Sequence, residues 1–189
     1  MNAALDLFRS VGYQKTMIID ITKKVSAAKG NFYHYYPSKE AIVQAIATAG
    51  PLKWPLFQVG KQSVRSLSQA GIVYWTPVSA TILFKNLWAE EHLNLYYKTW
   101  RLLVEDIFNP LLAEIIQQGN QEGSMHVACQ QQALAFFWST LACVWEAILF
   151  QDPPDIFASK AKMAQSLLVH ILGIEEDAFE ISLTGYWIV

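Results

Sequence analysis

The sequence predicts an all-α protein, in which a three-helix head precedes a larger helical domain. Apolar residues recur at intervals of three and four along most of the chain, which is the spacing of one face of an α-helix. Glycine and proline end these patterns at several points, as expected at helix boundaries. A marked difference in charge between the two parts of the chain gives the third observation.

The charge is unevenly distributed. Residues 1–47 contain six Lys and Arg against three Asp and Glu, whereas the remaining residues contain eight against thirteen. A basic head on an acidic body is expected when only the head contacts phosphates. The chain is also 53% hydrophobic and only 16% charged, which favours apolar surface buried against a second subunit or a membrane. Cys129 and Cys143 would lie about 21 Å apart on one helix, so we expect reduced thiols and a cytoplasmic protein.

Three helices are predicted in the head. The first covers residues 1–11 and stops at Gly12. Thr16 is expected to cap the second, whose apolar stripe is Ile18, Ile21 and Val25. A tight connection at residues 26–27 then leads into the third helix.

The third helix lies within the segment KGNFYHYYPSKE, residues 29–40, and is expected to end at Tyr36. Phe32 and Tyr36 share one face and should pack inside, while Lys29, Asn31, Tyr33 and His34 point to the other side. Pro37 stops the helix, and the side chain of Ser38 is placed to cap the next one. Two short helices joined by a tight turn, with the second one exposed, indicate a helix-turn-helix.

Residues 3–47 resemble the DNA-binding domain of the TetR family of bacterial transcriptional regulators. The matching residues, in order, are AALDLF at 3–8, Gly12-Tyr13, Thr16, Asp20-Ile21, Lys29-Gly30, Phe32 to Tyr36, and Ser38-Lys39-Glu40. The chain departs from the family at Ser26, where glycine is usual, and at Ala28, where serine is usual. It also starts at the middle of the family's first helix.

The resemblance implies a repressor that a small-molecule effector releases from its operator, acting as a homodimer in the cytoplasm without a cofactor. It places Lys29, Gly30 and Asn31 at the groove-facing start of the recognition helix, where Asn31 can pair with a base edge. It assigns phosphate contacts to the remaining candidates: Thr16, Tyr33, His34, Tyr35 and Lys39. The departures at Ser26 and Ala28 leave an alternative open, a dimeric small-molecule-binding protein that has lost DNA binding.

In the body, residues 48–189 are expected to bind the effector and dimerise, with residues 1–47 as the DNA-binding domain. A fourth helix runs to Gly50, residues 48–75 are left unassigned, and a helix begins at Thr76-Pro77. A long helix over 93–118 should kink at Pro110, and two further helices cover 130–150 and 155–172. The tail, residues 174–189, is left unassigned.

Five aromatic residues are candidates for binding a flat or apolar effector: Trp88, Tyr96, Trp100, Trp138 and Trp145. In the helix over 130–150, Ala133, Phe136, Thr140 and Ala147 are expected to face a second subunit. Leu134, Phe137, Trp138, Leu141 and Trp145 are expected to face the interior.

Other classes of protein are disfavoured. The apolar stretch 133–150 is near the lower length limit for a membrane span, but Glu146 and the lack of a basic flank count against one. The four histidines lack metal-ligand spacing, and no metal site is expected. The chain has no glycine-rich phosphate loop, nucleophile elbow or HExxH motif, and we therefore expect no enzyme.

Overall fold

The structure, a computed structural model, describes residues 1–48 and 78–176. These residues form nine α-helices and one π-helical turn, and no strand occurs among them. The prediction of an all-α fold is therefore confirmed. The described residues cluster into two compact units, residues 1–48 with 78–103, and residues 104–176.

The first unit contains six helices. These are α1 (Asn2–Val11), α2 (Ile18–Lys24), α3 (Lys29–Tyr35), α4 (Lys39–Thr48), α5 (Val78–Ala89) and α6 (Leu93–Leu103). Its core is built from side chains with almost no exposed surface, including Phe8, Ile42, Val43, Phe84 and Leu87. Helices α1 and α4 both pack against α5, and α4 also packs against α6.

Local sequence explains most of the helix boundaries in this unit. Helix α1 ends before Gly12, whose φ of 90° is a conformation that residues with a Cβ rarely adopt. Helix α3 ends at Tyr35 because Tyr36, the residue before Pro37, is extended. The Ser38 hydroxyl accepts the N–H of Ala41 at 3.1 Å, as the predicted cap of α4 requires.

The start of α2 differs from the prediction. Met17, not Thr16, is the residue that precedes the helix, and the Asp20 carboxylate accepts the Met17 N–H at 3.0 Å. The prediction that Thr16 caps α2 is wrong because its hydroxyl donates instead to the carbonyl of Gly12, at 2.6 Å. Val25 was expected on the buried stripe, but α2 ends at Lys24 and Val25 is exposed.

The turn between α2 and α3 has a left-handed residue at Ser26, the position where the resemblance implies glycine. Ser26 has a φ of 53°, in the left-handed region, where a residue with a Cβ is strained by about 1 kcal/mol. Ala28 precedes α3 without a side-chain cap. Ser26 is therefore strained and Ala28 supplies no cap, yet α3 forms.

The second unit begins with a π-helical turn at Val104–Phe108, followed by α7 (Asn109–Glu122), α8 (Gln130–Leu149) and α9 (Pro154–Leu172). One kinked helix over 93–118 was predicted. The structure instead has α6, the π-helical turn and α7, with Pro110 in the first turn of α7. Proline has no N–H to offer the carbonyl four residues earlier, and a π-helical turn is one way for a helix to absorb that loss. Helix α7 continues to Glu122, beyond the predicted end, and Gly123 ends it in the left-handed conformation.

Helices α8 and α9 form a hairpin and pack extensively on each other. Both predicted helices are confirmed to within one residue, and Gly173 ends α9 with a φ of 59°. Phe137 and Leu141 of α8 and Leu168 of α9 are buried as the periodicity indicates. Ala133 and Ala147 are buried within this unit, so the prediction that they face a second subunit is wrong. Phe136, by contrast, is 61% exposed.

Helix α8 is the one helix in the described ranges that is long and apolar enough to cross a bilayer. Length and composition alone are weak evidence, because core helices of globular proteins meet the same criteria. Here α8 packs against both α7 and α9.

Several sequence predictions fall outside the described residues. The end of the fourth helix near Gly50, the segment 49–75, the helix start at Thr76-Pro77 and most of the tail are among them. The division of function at residues 47 and 48 also remains a prediction, because compactness does not identify the residues that bind DNA.

Candidate nucleic-acid interface

Helix α3 presents a polar, aromatic surface. Lys29, Gly30, Asn31 and His34 are exposed, and Tyr33 and Tyr35 are 47% and 75% exposed. We call these six residues the α3 face. On the opposite side of the helix, Phe32 is buried. Tyr36 is only half-buried, with its ring 5.6 Å from that of Phe32, so it belongs to the edge of the core.

Two details of the α3 face bear on how it meets a ligand. The Lys29 ammonium lies 5.9 Å from the centre of the Tyr33 ring, so that a cation and a hydroxyl-bearing ring are neighbours one turn apart. A Cβ added at Gly30 would meet no atom within 4 Å, which leaves the main chain open on that side. The arrangement offers a cation, an amide and two phenol hydroxyls to a polyanion.

Lys39 does not belong to this surface. Its ammonium donates to the carbonyl oxygens of Tyr13 and Thr16, at 2.9 and 3.0 Å, and lies 4.1 Å from the centre of the Tyr13 ring. Burial lowers the pKa of Lys39. Donors of Lys39 are used to hold the loop between α1 and α2, and its predicted phosphate contact remains a prediction.

Thr16 is also withdrawn from the surface. Its side chain is only 1% exposed, and its hydroxyl is used by the Gly12 carbonyl. The predicted contact with phosphate through the start of α2 therefore finds no free hydroxyl at position 16. Met17, which immediately precedes α2, is exposed but carries no polar side chain.

A contact between the buried Tyr13 and the exposed Glu40, which sequence reasoning missed, supports the same loop. The Tyr13 hydroxyl donates to Glu40 at 3.0 Å, and burial together with this carboxylate raises the pKa of Tyr13 far above its usual range. Hydrogen bonds from its own main-chain N–H and from Ser38 lower the pKa of Glu40. Both residues were among those that carry the family resemblance, but nothing in their spacing indicated that they meet.

The five candidate effector residues divide between the two units. In the first unit, Tyr96 lies 5.2 Å from Phe84 and 5.5 Å from Trp88, and Trp100 lies 6.1 Å from Phe84, ring centre to ring centre. We call Phe84, Trp88, Tyr96 and Trp100 the aromatic cluster. Sequence reasoning missed Phe84, which is one helical turn before Trp88.

Thr99 adds a buried polar atom to the helix that carries Tyr96 and Trp100. It follows Tyr96 by three residues on α6, and its hydroxyl is buried without a hydrogen-bond partner. Unpartnered buried hydroxyls are uncommon in folded proteins.

In the second unit, Trp138 stacks on Phe108 at 5.3 Å and donates its indole N–H to the Asn109 side chain at 2.7 Å. This N–H is therefore satisfied within the fold. Trp145 is half-buried in the same unit. The described residues contain no group of three His, Cys, Asp or Glu side chains arranged to hold a metal ion.

Comparison with known proteins identifies the head. Residues 1–46 match the sequence profile described as bacterial regulatory proteins, tetR family. Two regulators of Bacillus subtilis (strain 168), both described as uncharacterized HTH-type transcriptional regulators, are similar to this chain over a short stretch. YvdT is 43% identical over 47 residues, and YuxN is 44% identical over 43 residues. The matches cover 25% and 23% of this chain but only 24% and 15% of those relatives.

Over most of the chain, the similarity to a solved structure is a similarity of fold. The fatty acid degradation regulator FadR from Bacillus halodurans aligns with a TM-score of 0.56 at 19% sequence identity. The alignment covers 88% of this chain and 91% of that one. An N-terminal helix-turn-helix with a larger helical domain is therefore an architecture that this chain shares with a solved regulator.

Proposed function

We propose, because residues 1–46 are a DNA-binding domain of the tetR family, that this chain is a transcriptional regulator that binds an operator through the α3 face. The observation that carries the proposal is the exposure of Tyr33, His34 and Tyr35 beside Lys29 and Asn31. Side chains of these types on a recognition helix can read base edges and hold phosphates. We expect the regulator to act in the cytoplasm. We also expect it to be a repressor, which stays bound to its operator until an effector releases it.

Two copies would present two recognition helices to an operator with two half-sites. Recognition helices must reach successive major grooves about 34 Å apart, so we propose a homodimer. Ile156, Met163 and Leu167 support this assembly, since they lie on one stripe of α9 and are each at least 45% exposed. Phe136 of the adjoining α8 is also exposed. An exposed apolar stripe on α9 and an exposed phenylalanine on the packed α8 suit burial against the same hairpin of a second copy.

The effector site is proposed at the aromatic cluster of the first unit. Trp88, Tyr96 and Trp100 offer flat apolar surface, and the unpartnered Thr99 hydroxyl offers one hydrogen bond. These features suit an apolar or aromatic molecule with a single polar group. An effector that favours one separation of the two heads over another would change operator affinity without touching DNA.

The test is a fluorescence-polarisation titration of the protein against its own promoter DNA and random DNA, at 50 and 200 mM salt. We expect preference for the promoter, and a loss of affinity of at least roughly a hundredfold between the two salt concentrations, because counterions are released. Asn31→Ala should reduce the preference for the promoter, since an amide paired with a base contributes about 1–3 kcal/mol of discrimination. Absence of binding by a folded protein would contradict the proposal.

The same titration decides the second candidate, a dimeric small-molecule-binding protein without DNA affinity. Two observations favour it, the strained φ of Ser26 and the missing side-chain cap at Ala28. This candidate predicts a folded dimer that binds the effector but does not bind promoter DNA at either salt concentration.

A further inference from the structure

Polar contacts join the corner between α5 and α6 to α1 and to the loop between α1 and α2. These contacts could not be predicted from the sequence. The Glu90 carboxylate accepts the main-chain N–H of Gln14 at 2.7 Å. One turn earlier on α5, the Asn86 amide donates to the Phe8 carbonyl at 2.7 Å. Both contacts hold main-chain atoms, so they fix the path of the chain whatever side chains the loop carries.

The fit between Glu90 and the loop depends on the absence of a side chain at position 12. A Cβ at Gly12 would overlap the Glu90 carboxylate, quite apart from the strain of a φ of 90°. Glycine at this position therefore serves two purposes, since it ends α1 and admits the carboxylate to the main chain.

Opposite charges meet across the same loop. Lys39 holds the carbonyls of Tyr13 and Thr16, while Glu90 holds the N–H of Gln14 between them. The charge of Glu90 acts on Lys39 and on Tyr13, and His92 Nε2 lies 3.9 Å from the Glu90 carboxylate. The loop is thus held by a cation from α4 and an anion from the end of α5.

This loop leads directly into α2. It ends at Met17, the residue before α2, and α2 in turn packs against α3. A displacement of the loop would move the support on which the α3 face rests. Glu90 itself contacts the loop and has no place on the α3 face.

We propose that Glu90 is a positioning residue for DNA binding. Through the Gln14 N–H it holds the loop in the conformation that presents α3, although it lies outside the region that matches the tetR family. The inference rests on the proposed function for its DNA readout, and on the Gln14 contact for a readout that needs no DNA.

The experiment compares Glu90→Ala, Glu90→Gln and the matched control Glu91→Ala in the full chain. Residue-specific amide hydrogen exchange by NMR and promoter affinity are measured well below the unfolding temperature. Glu90→Ala should speed exchange at Gln14 and weaken promoter binding roughly tenfold, with an unchanged salt slope. Glu90→Gln keeps an acceptor for the N–H and should restore Gln14 protection and most of the affinity. Glu91→Ala should change neither.

A double-mutant cycle with Gly12→Ala separates the contact from general destabilisation. Gly12→Ala should weaken binding more in the wild type than in Glu90→Ala, because the overlap with the carboxylate exists only in the former. Unchanged Gln14 exchange and affinity in Glu90→Ala would overturn the inference. So would equal defects in Glu90→Ala and Glu90→Gln, with faster exchange throughout residues 1–48. If the wild type binds no promoter DNA, the proposed function fails and the DNA role of Glu90 fails with it, whereas loss of Gln14 protection in Glu90→Ala would still establish the loop contact.

Discussion

Lys39→Ala is expected to lower the free energy of unfolding by about 2–3 kcal/mol and to weaken promoter binding without changing its salt dependence. The ammonium donates to two main-chain carbonyls and covers the Tyr13 ring, and alanine would leave both carbonyls without this partner. We expect Lys39 to keep these internal partners when the protein binds DNA, so the number of released counterions should stay the same. Chemical denaturation and a salt series of binding isotherms provide the two readouts.

Lys29→Ala is the matched control, since it removes the same side chain from an exposed position on α3. Its stability should change by less than about 1 kcal/mol, because the contact with Tyr33 is exposed. Its salt slope should fall by about 0.9 for each phosphate neutralised by Lys29 in the complex. The reverse pattern, with a lower slope for Lys39→Ala and unchanged stability, would mean that Lys39 leaves its internal partners to bind DNA.

Met163→Glu is expected to convert the proposed dimer to monomers and to abolish tight operator binding. Met163 is 64% exposed on the same stripe of α9 as Ile156 and Leu167. An unpaired carboxylate buried in a subunit interface costs about 3 kcal/mol or more, which raises the dissociation constant at least roughly a hundredfold. Sedimentation equilibrium gives the dissociation constant, and polarisation gives the effect on the promoter.

The control for Met163→Glu introduces the same charge on another face of the same helix. Ala158 is exposed and lies about 200° around the helix from Ile156. Ala158→Glu should therefore leave the dimer and its promoter affinity intact. A wild-type protein that is monomeric at all concentrations tested, or a Met163→Glu variant that dimerises as the wild type does, would contradict the proposed interface.

Boundaries set by local chemistry were predictable from the sequence. Gly12, Pro37 and Gly173 each impose a backbone conformation on their own neighbourhood, and α1, α3 and α9 end where these residues require. The burial of Phe32 and Phe137 also followed from periodicity, because a helix presents every third or fourth residue to the same side.

Long-range partners were not predictable in this way. Lys39 next to Ser38 has the sequence signature of an exposed first turn, yet it binds carbonyls more than twenty residues away. The position of Glu90 beside Glu91 in the sequence indicates no distant partner, and the contact of Glu90 with Gln14 spans 76 positions. Only the packing of α1 and α4 on α5 brings these groups together.

The aromatic residues illustrate an intermediate case. Their number indicated clusters, but which rings belong to the same cluster could not be predicted from their spacing. Tyr96 and Trp100 lie one turn apart and meet Phe84, whereas Trp138 satisfies its N–H through Asn109 in the other unit. A single set of five was therefore too coarse an interpretation.

Hydroxyl-radical footprinting of the protein on its promoter tests the central claim most directly, since it maps where the α3 faces of two copies contact DNA. We predict two protected half-sites with centres about 34 Å apart along the duplex, both lost in Met163→Glu. A single protected site, or protection that persists unchanged in a variant with Asn31, Tyr33 and His34 all replaced by alanine, would contradict the account.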